Sequence, residues 1–585
     1  MKFKKAISLF LAASAVSAAA AGLSSCGSST SIDYDAIMAI EDPENYVYEE
    51  NITIRIPVYD RAQTGQADVA DNYWTQYVQE NFGDKHNITV EFIAISRTDE
   101  VTKINQLMAG KKSRQPDIIF HYDYPQIITY AKSGMFQTLD DAMIQKFAPT
   151  YYEATKDLDQ YTYVNGEKTF LAATRPRAYN SITVIRADWL RENGYDVPED
   201  IVNWTVTEDE YYDMLKSFND NKNGGPNTVA MELSLPNANF GNYAYRNYPI
   251  SAHDWALYSD LSVCSLPWEP TYDQIKYNNN LVQMGLASPE WYLDTDGSTA
   301  KSNFSAGIQG THWFYLTKDS AEINALLQND ADAELQLTPL IESDGEVKGS
   351  RSDNPFGLMT GINVNCEHPE AVLMYFEWMQ NNLQVMQSGI EGLTYEMQDV
   401  GDGQEIPVLI DGYAGEERLN YNANKDMWCI VTEGRDYGDD ELNAKAQVYT
   451  YAPDGFEYLI EDSYNRIKDT DHLNYIDFLF DRSIDSLADK SSTLLEIWQR
   501  AATELYNCDP SEFDSIYEKY CTEYLNSGYQ EVLDEKETAY QDMKANDNLP
   551  DPLPEGIISD DEAAELYGGD GNQPLLYGTL SSAAE

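Results

Sequence analysis

The sequence predicts a mixed α/β protein whose chain builds two lobes and crosses between them several times. Three observations carry this expectation. Between residues 51 and 134, strand-like and helix-like runs alternate three times, the pattern of a doubly wound α/β lobe. A second alternating block begins near Tyr163, and the C-terminal third reads as helix. At 585 residues the chain exceeds one hydrophobic core, so two or three domains are expected.

Each element follows from its spacing. Ile52, Ile54 and Ile56 alternate with Thr53 and Arg55, the period of a strand. Trp74, Tyr77, Val78 and Phe82 recur at helical spacing, with Gly83 as stop. Residues 88–95 predict a second strand, Val101, Ile104 and Met108 a helix, 117–120 a short apolar strand and 125–134 a helix. In the second block, 163–168 reads as a hairpin and 181–185 as a strand. Thr207 and Glu210 fit a capping box ahead of a helix that buries Tyr211, Met214, Leu215 and Phe218. A strand over 359–364 precedes a helix from Pro369, and the helical third comprises 494–506, 513–525 and 530–543 with Gly528 as a stop. From Asn546 onward Pro, Gly and acid dominate, so 546–585 is expected to be an extended tail.

Composition excludes some partners. Lys and Arg total 39 against 98 Asp and Glu, a net charge of −59; such a surface repels nucleic acid and anionic lipid. Hydrophobic residues at 42% exclude global disorder. Six cysteines show no paired spacing and no nearby His, which argues against zinc. Five of them, Cys264, Cys366, Cys429, Cys508 and Cys521, are expected mostly as buried small hydrophobes. Tyrosine is the outlier at 43 residues; aromatic faces stack on sugar C–H faces, although most aromatics in a large protein serve its core.

The N-terminus reads as an export signal over residues 1–25, with Lys2, Lys4 and Lys5 ahead of an apolar stretch. Leu23-Ser24-Ser25-Cys26 resembles the bacterial lipobox, which implies cleavage before Cys26, acylation of its thiol (palmitate among the chains expected) and a mature lipoprotein anchored on the extracellular face of the bacterial membrane. Residues 26–50 are then a flexible tether.

Further marks carry a family resemblance. They are Gln115-Pro116-Asp117-Ile118-Ile119-Phe120, residues 130–136 with Leu139-Asp140-Asp141, residues 185–190, and Asn193-Gly194-Tyr195-Asp196-Val197-Pro198. Residues 307–313, Gly389-Ile390-Glu391-Gly392, Phe513-Asp514 and Ser527-Gly528-Tyr529-Gln530 complete the series. In this order they resemble family 1 of the extracellular solute-binding proteins of ABC transporters, in its large LipO-like lipoprotein branch, over about residues 50–545. The resemblance implies a periplasmic-binding-protein-like fold of type II, similar to maltose-binding protein, with a hinge and an interlobe cleft. Lobe 1 is expected over 51–175 and 335–388, and lobe 2 over 176–334 and 389–545. It also implies open–closed hinge motion, delivery of a small solute to a membrane permease, no catalysis, no cofactor and a monomer.

Ligands of open α/β lobes sit at the carboxyl ends of strands. The candidate ligand residues are therefore Asp60 and Arg61 after the first strand, Tyr122, Asp123 and Tyr124 after the third, Arg177 and Tyr179 near the first crossing, and Trp313 and Tyr315 beyond Gly310. Trp291 and Tyr292 are weaker candidates, and Glu391 reads as part of its turn. Asn219, Asn221 and Asn223 have a calcium-loop spacing but lack the acidic first and last ligands, so a polar turn is the preferred reading. Aromatic-rich loops favour an oligosaccharide, with a peptide or other solute as the alternative within transport. A surface glycoside hydrolase is the chief rival; it needs two placed carboxylates, and 98 acids offer no specific pair. An adhesive protein would show repeats, and none is evident.

Overall fold

The computed structural model describes residues 32–576 apart from 63–66, 98, 165, 235–249, 260–263, 319, 344–345, 348–353, 402, 411–424, 471–475, 483, 555, 570 and 572–574. The export signal, Cys26 and the start of the tether lie outside the described residues. The chain divides after Glu41 into two units. In the first, helix Tyr34–Met38 is capped by Asp33, whose side chain accepts from the Ala36 amide at 3.0 Å. The rest concerns the second unit.

Its first lobe starts where alternation predicts. Strand Ile52–Asp60 pairs in parallel with Ile88–Ser96, from Ile52 opposite Ile88 to Asp60 opposite Ser96. Between them runs helix Tyr73–Val78, opened by a capping box of Asn72 and Thr75. Ile54, Ile56, Val78 and Phe82 are fully buried. The third strand, Ile118–His121, is held beside the first through Asp117: its amide donates to Arg55 O at 2.9 Å, and its Oδ2 accepts from the Arg55 amide at 2.7 Å.

A strand from much later completes this lobe. Phe356–Ile362 lies between Ile118–His121 and Leu171–Thr174, antiparallel to both. Every residue of it is buried, as suits a central strand with both faces covered. Helix Pro369–Asn381 packs on helices Asp141–Phe147 and Pro149–Thr155 with Val372, Phe376 and Met379 buried.

The second lobe centres on Ser181–Arg186, flanked antiparallel by Thr311–Tyr315 and Leu335–Leu337. Thr205–Thr207 pairs in parallel with Leu340–Ser343. Residues 335–343 thus pair within the second lobe, so the chain returns to the first nearer 354 than the expected 335. Helix Glu208–Asn221 carries the capping box and buried stripe its spacing predicts. The third crossing also comes later than expected. Helix Lys425–Trp428 is tied to the first lobe by Arg61, which grips Asp426 with two bonds of 2.7 and 2.8 Å, and helix Asp440–Tyr451 is the first element beyond it to join the second-lobe core.

The C-terminal helices Asp485–Asn507, Phe513–Tyr524 and Gln530–Ala545 pack with residues 250–291 around a core of their own, which includes Trp255, Trp268, Trp291 and Trp498. Gly528 separates the last two helices at φ 121°, and a Cβ there would stand 2.7 Å from the Lys490 side chain. No described helix is long and apolar enough to cross a membrane. Cys264, Cys366, Cys429 and Cys521 are buried free thiols, as expected, and Cys508 is half-buried.

Two stretches expected to be loose are packed. At the end of the expected tether the Tyr48 hydroxyl donates to Glu370 at 2.8 Å, and its amide donates to His86 O at 3.0 Å. In the expected tail, Ile557–Ile558 pairs in parallel with Ile250–Ser251, and helix Asp560–Tyr567 follows a Ser559–Glu562 capping box. The composition of both stretches is polar, yet a few apolar side chains and local caps suffice to dock them.

Beside the docked segment lies a buried histidine whose backbone amide reaches it. His253 Nε2 lies 2.6 Å from Glu537 Oε2, its Nδ1 lies 3.3 Å from Asp254, and its amide donates to Asp560 at 3.0 Å. Burial alone would lower the His253 pKa, but hydrogen bonds and charge from Asp254 and Glu537 outweigh it and raise it to about 9. A raised folded-state pKa stabilises fully below the unfolded value of about 6.5 and is lost as pH climbs through about 9. The melting temperature of the wild type is therefore expected to fall between those limits. His253→Gln should start lower and lack that slope, which differential scanning calorimetry across the interval measures.

Candidate functional site

Three crossings lie side by side where the lobes meet. The Thr174 amide donates to Val431 O at 3.1 Å, and the Glu433 amide returns a bond to Thr174 O at 2.8 Å. The Arg175 amide donates to Pro355 O at 3.1 Å, while Arg175 Nε reaches Glu433 Oε2 at 2.7 Å. Gly357 is required here by close approach: a Cβ would lie 2.9 Å from Glu433 Cβ. Pro176 packs beside Gly434, where a Cβ would meet its ring at 3.5 Å.

Beside these crossings opens a cavity of about 2380 Å³. The first lobe contributes Tyr124, Tyr161 and Tyr163; the first crossing contributes 175–181; the second lobe contributes Tyr315, Tyr451, Tyr464 and Lys468. Residues 433–441 supply the densest polar stretch, and residues 548–554 supply another wall. Four cationic side chains in the lining face eight carboxylates, so the cavity disfavours an anionic guest.

Most lining groups are already positioned by bonds. Asp436 accepts from the Gly438 amide and from Asn443 Nδ2, both at 2.9 Å. Gln447 accepts from the Tyr179 amide at 2.7 Å and donates to Arg177 O at 2.6 Å, fastening the first crossing to helix Asp440–Tyr451. Arg435 donates to the carbonyls of Gln387 and Pro407. Tyr179 is buried against Tyr464, edge to face at 5.2 Å, and burial with the neighbouring Asp440 raises its hydroxyl pKa. Three aromatics remain open to a guest: Tyr315 is 58% exposed, Tyr163 37% and Tyr451 36%.

Of the residues singled out from sequence, Tyr124, Arg177, Tyr179 and Tyr315 line this cavity together. Trp313 does not line it, but stands beside Tyr315 at 5.2 Å on the edge strand. Four others lie outside the lining and have local work. Asp60 accepts from the Ala62 amide at 2.9 Å, Arg61 holds Asp426, and Asp123 caps helix Tyr124–Lys132. Tyr122 stacks on Tyr59 at 5.9 Å with the Arg97 guanidinium 5.1 Å above its ring. The ends of their strands lie near the third crossing, where Arg61 holds Asp426 and Tyr122 neighbours Cys429 and Glu433.

The calcium candidates are engaged by hydrogen bonds. Asn219 donates to Gly285 O, Asn221 donates to Asn193 at 2.8 Å, and Asn223 donates to Glu192 at 2.9 Å. Among the described residues, no group of three or more His, Cys, Asp or Glu is placed to hold a metal ion.

Sequence reasoning missed the 433–441 run, Tyr464, Lys468, Asp477 and Asp481, and the 548–554 wall. The Gly-Arg-Asp-Tyr-Gly-Asp-Asp string at 434–440 carried a usable signal, a polar turn after the apolar run 427–431.

Residues 66–385 match the protein family described as bacterial extracellular solute-binding protein. No curated protein matches the chain in sequence. Among solved structures, it resembles a human-milk-oligosaccharide (HMO)-binding, ABC-transporter-associated solute-binding protein of Bifidobacterium longum infantis, at 16% identity and TM-score 0.59, over 84% of this chain and 99% of that one. It also resembles the Streptococcus pneumoniae substrate-binding protein FusA in complex with kestose, at 13% identity and TM-score 0.52, over 84% of this chain and all of that one. The alginate-binding protein AlgQ2, solved without calcium ion, aligns at 15% identity and TM-score 0.52 over 85% and 99% of the two chains. At such identities the likeness establishes the two-lobed fold.

The crossings set a stability test. Gly357→Ala forces its new methyl group against Glu433 and is expected to cost about 1–3 kcal/mol, read as a lowered urea midpoint with an unchanged slope.

Proposed function

The chain belongs to the bacterial extracellular solute-binding protein family, and from that premise we propose that it captures an oligosaccharide in the cavity beside the crossings and delivers it to an ABC transporter permease. The observation that carries the reading is the cavity itself: about 2380 Å³, lined by open tyrosines among carboxylates, amides and guanidinium groups. Tyrosine faces stack on the C–H faces of sugar rings, and the polar groups between them accept and donate to hydroxyls. The volume exceeds the ~300–1,000 Å³ typical of small-molecule sites, which suits several linked sugars. Solved relatives of the same fold bind human milk oligosaccharides and kestose by their own descriptions.

In this reading the three crossings act as a hinge. Ligand contacts made by both lobes pull an open–closed equilibrium toward the closed form, and the permease distinguishes the two shapes. The protein serves by binding alone, as a monomer without a cofactor. Cleavage of the export signal and acylation of Cys26 hold it at the outer face of the cell membrane, in the LipO-like branch of the family. Of the residues chosen from sequence, Tyr315 and Arg177 face the ligand, Tyr124 and Tyr179 back the cavity wall from their buried positions, and Trp313 stands at the margin; Asp60, Arg61, Tyr122 and Asp123 serve the first lobe's frame.

Thermal-shift screening of residues 27–585 against oligosaccharides, amino acids and peptides tests this. A ligand at 100 times its Kd adds about 2.7 kcal/mol, and the shift is expected from one sugar class without product on long incubation. A shift from peptides alone replaces the sugar with a peptide; product formation makes the protein an enzyme. Tyr315→Ala is expected to weaken the responding sugar by roughly 0.5–1.5 kcal/mol, about 2- to 12-fold, in isothermal titration calorimetry, with the melting temperature of the free protein unchanged because the side chain is exposed.

A further inference from the structure

The family match ends at residue 385, yet one wall of the cavity comes from the far C-terminus. All seven residues from Asn548 to Pro554 line it, in the company of Tyr124 and Tyr161 from the first lobe and Tyr464 from the second. Resting on the reading of this cavity as the ligand site, we propose that residues 548–554 are a fixed wall that limits the length of ligand admitted.

The sequence builds this segment as a wall. Pro550, Pro552 and Pro554 fix three φ angles within five residues and remove three amide donors, so the segment holds its bent course without seeking a sheet partner. Leu549 and Leu553 turn their side chains onto the core of the C-terminal helices, while Asn548 and Asp551 stay exposed.

Both ends are fastened. The Asn548 amide donates to Met543 O at 2.9 Å, and the Ile557 amide donates to Pro554 O at 3.0 Å. Beyond the wall, Ile557 pairs with Ile250, and Asp560 accepts from the His253 amide at 3.0 Å, the Tyr540 hydroxyl at 2.9 Å and Lys544 at 2.6 Å. Further on, the Leu576 amide donates to Pro267 O at 2.6 Å. A segment that served only as a tail would need neither the prolines nor these fastenings.

Two variants test the wall in the full soluble chain, residues 27–585. In the first, residues 549–553 are replaced by a Gly/Ser stretch of equal length, leaving the fastenings in place. Hydroxyl-radical footprinting needs no ligand: Met543 and Trp255, which line the cavity while almost wholly buried, are expected to label several-fold faster than in wild type. Unchanged labelling overturns the wall whatever ligand binds. The second variant, Asp551→Trp, adds bulk at an exposed position and leaves the backbone and fastenings intact, so it keeps the test valid if the first unfolds. Calorimetry against ladders of malto-, fructo- and chito-oligosaccharides reads the length limit. The Gly/Ser variant is expected to gain affinity several-fold for the longer members, and Asp551→Trp to lose it for them while keeping the shortest. An identical length ranking in all three proteins overturns the limit. Faster labelling in the variant, with no sugar bound by any of the three, supports the wall and removes the oligosaccharide reading.

Discussion

The whole molecule depends on a short ladder of backbone hydrogen bonds where three crossings run together. Thr174 exchanges bonds with Val431 and Glu433, and Arg175 bonds Pro355. Each such bond is worth only about 1 kcal/mol net, but together they fix how strands of two lobes leave a common seam. One side chain permits that seam by its absence: Gly357 admits Glu433, where a Cβ would stand 2.9 Å away. The cavity-lining loops 175–181, 354–355 and 433–443 are direct continuations of the crossings.

The lobes themselves are held conventionally, by apolar faces and by buried tyrosines, some of which bond through their hydroxyls. Tyr151 donates to Ala172 O at 2.7 Å and Tyr529 to Ser265 at 2.7 Å, deep in different cores. Tyr211, Tyr375 and Tyr506 are likewise buried. Tyrosine abundance is thus mostly a packing choice, and the residues open to a guest are the few that edge the cavity. The net charge of −59 is likewise spread over the surface, while the lining concentrates a smaller acidic excess around Asp436, Asp440 and Asp481.

Local signals were read well. The Ile52–Ile56 alternation, the Thr207–Glu210 cap, the stripe Tyr211, Met214, Leu215 and Phe218, and the Gly528 break each act over a few residues. The partner of Ile118–His121 was not legible, because Phe356–Ile362 lies over 230 positions on and nothing local names its neighbour. The same holds for the cavity: Tyr124 and Tyr179, singled out after the third strand and near the first crossing, line it, but 433–441 and 548–554 reach it only through long-range contacts.

By itself, then, the sequence determined the periodic elements, the α/β class with its helical end, and the caps and stops that bound them, because these follow from spacing within one or two turns of chain. Tertiary structure alone decided where the crossings fall, that the polar segments around Tyr48 and Ile557 dock, and which loops enclose the cavity. These depend on contacts between residues hundreds of positions apart, whose loop-closure cost is offset only when the rest of the fold has assembled.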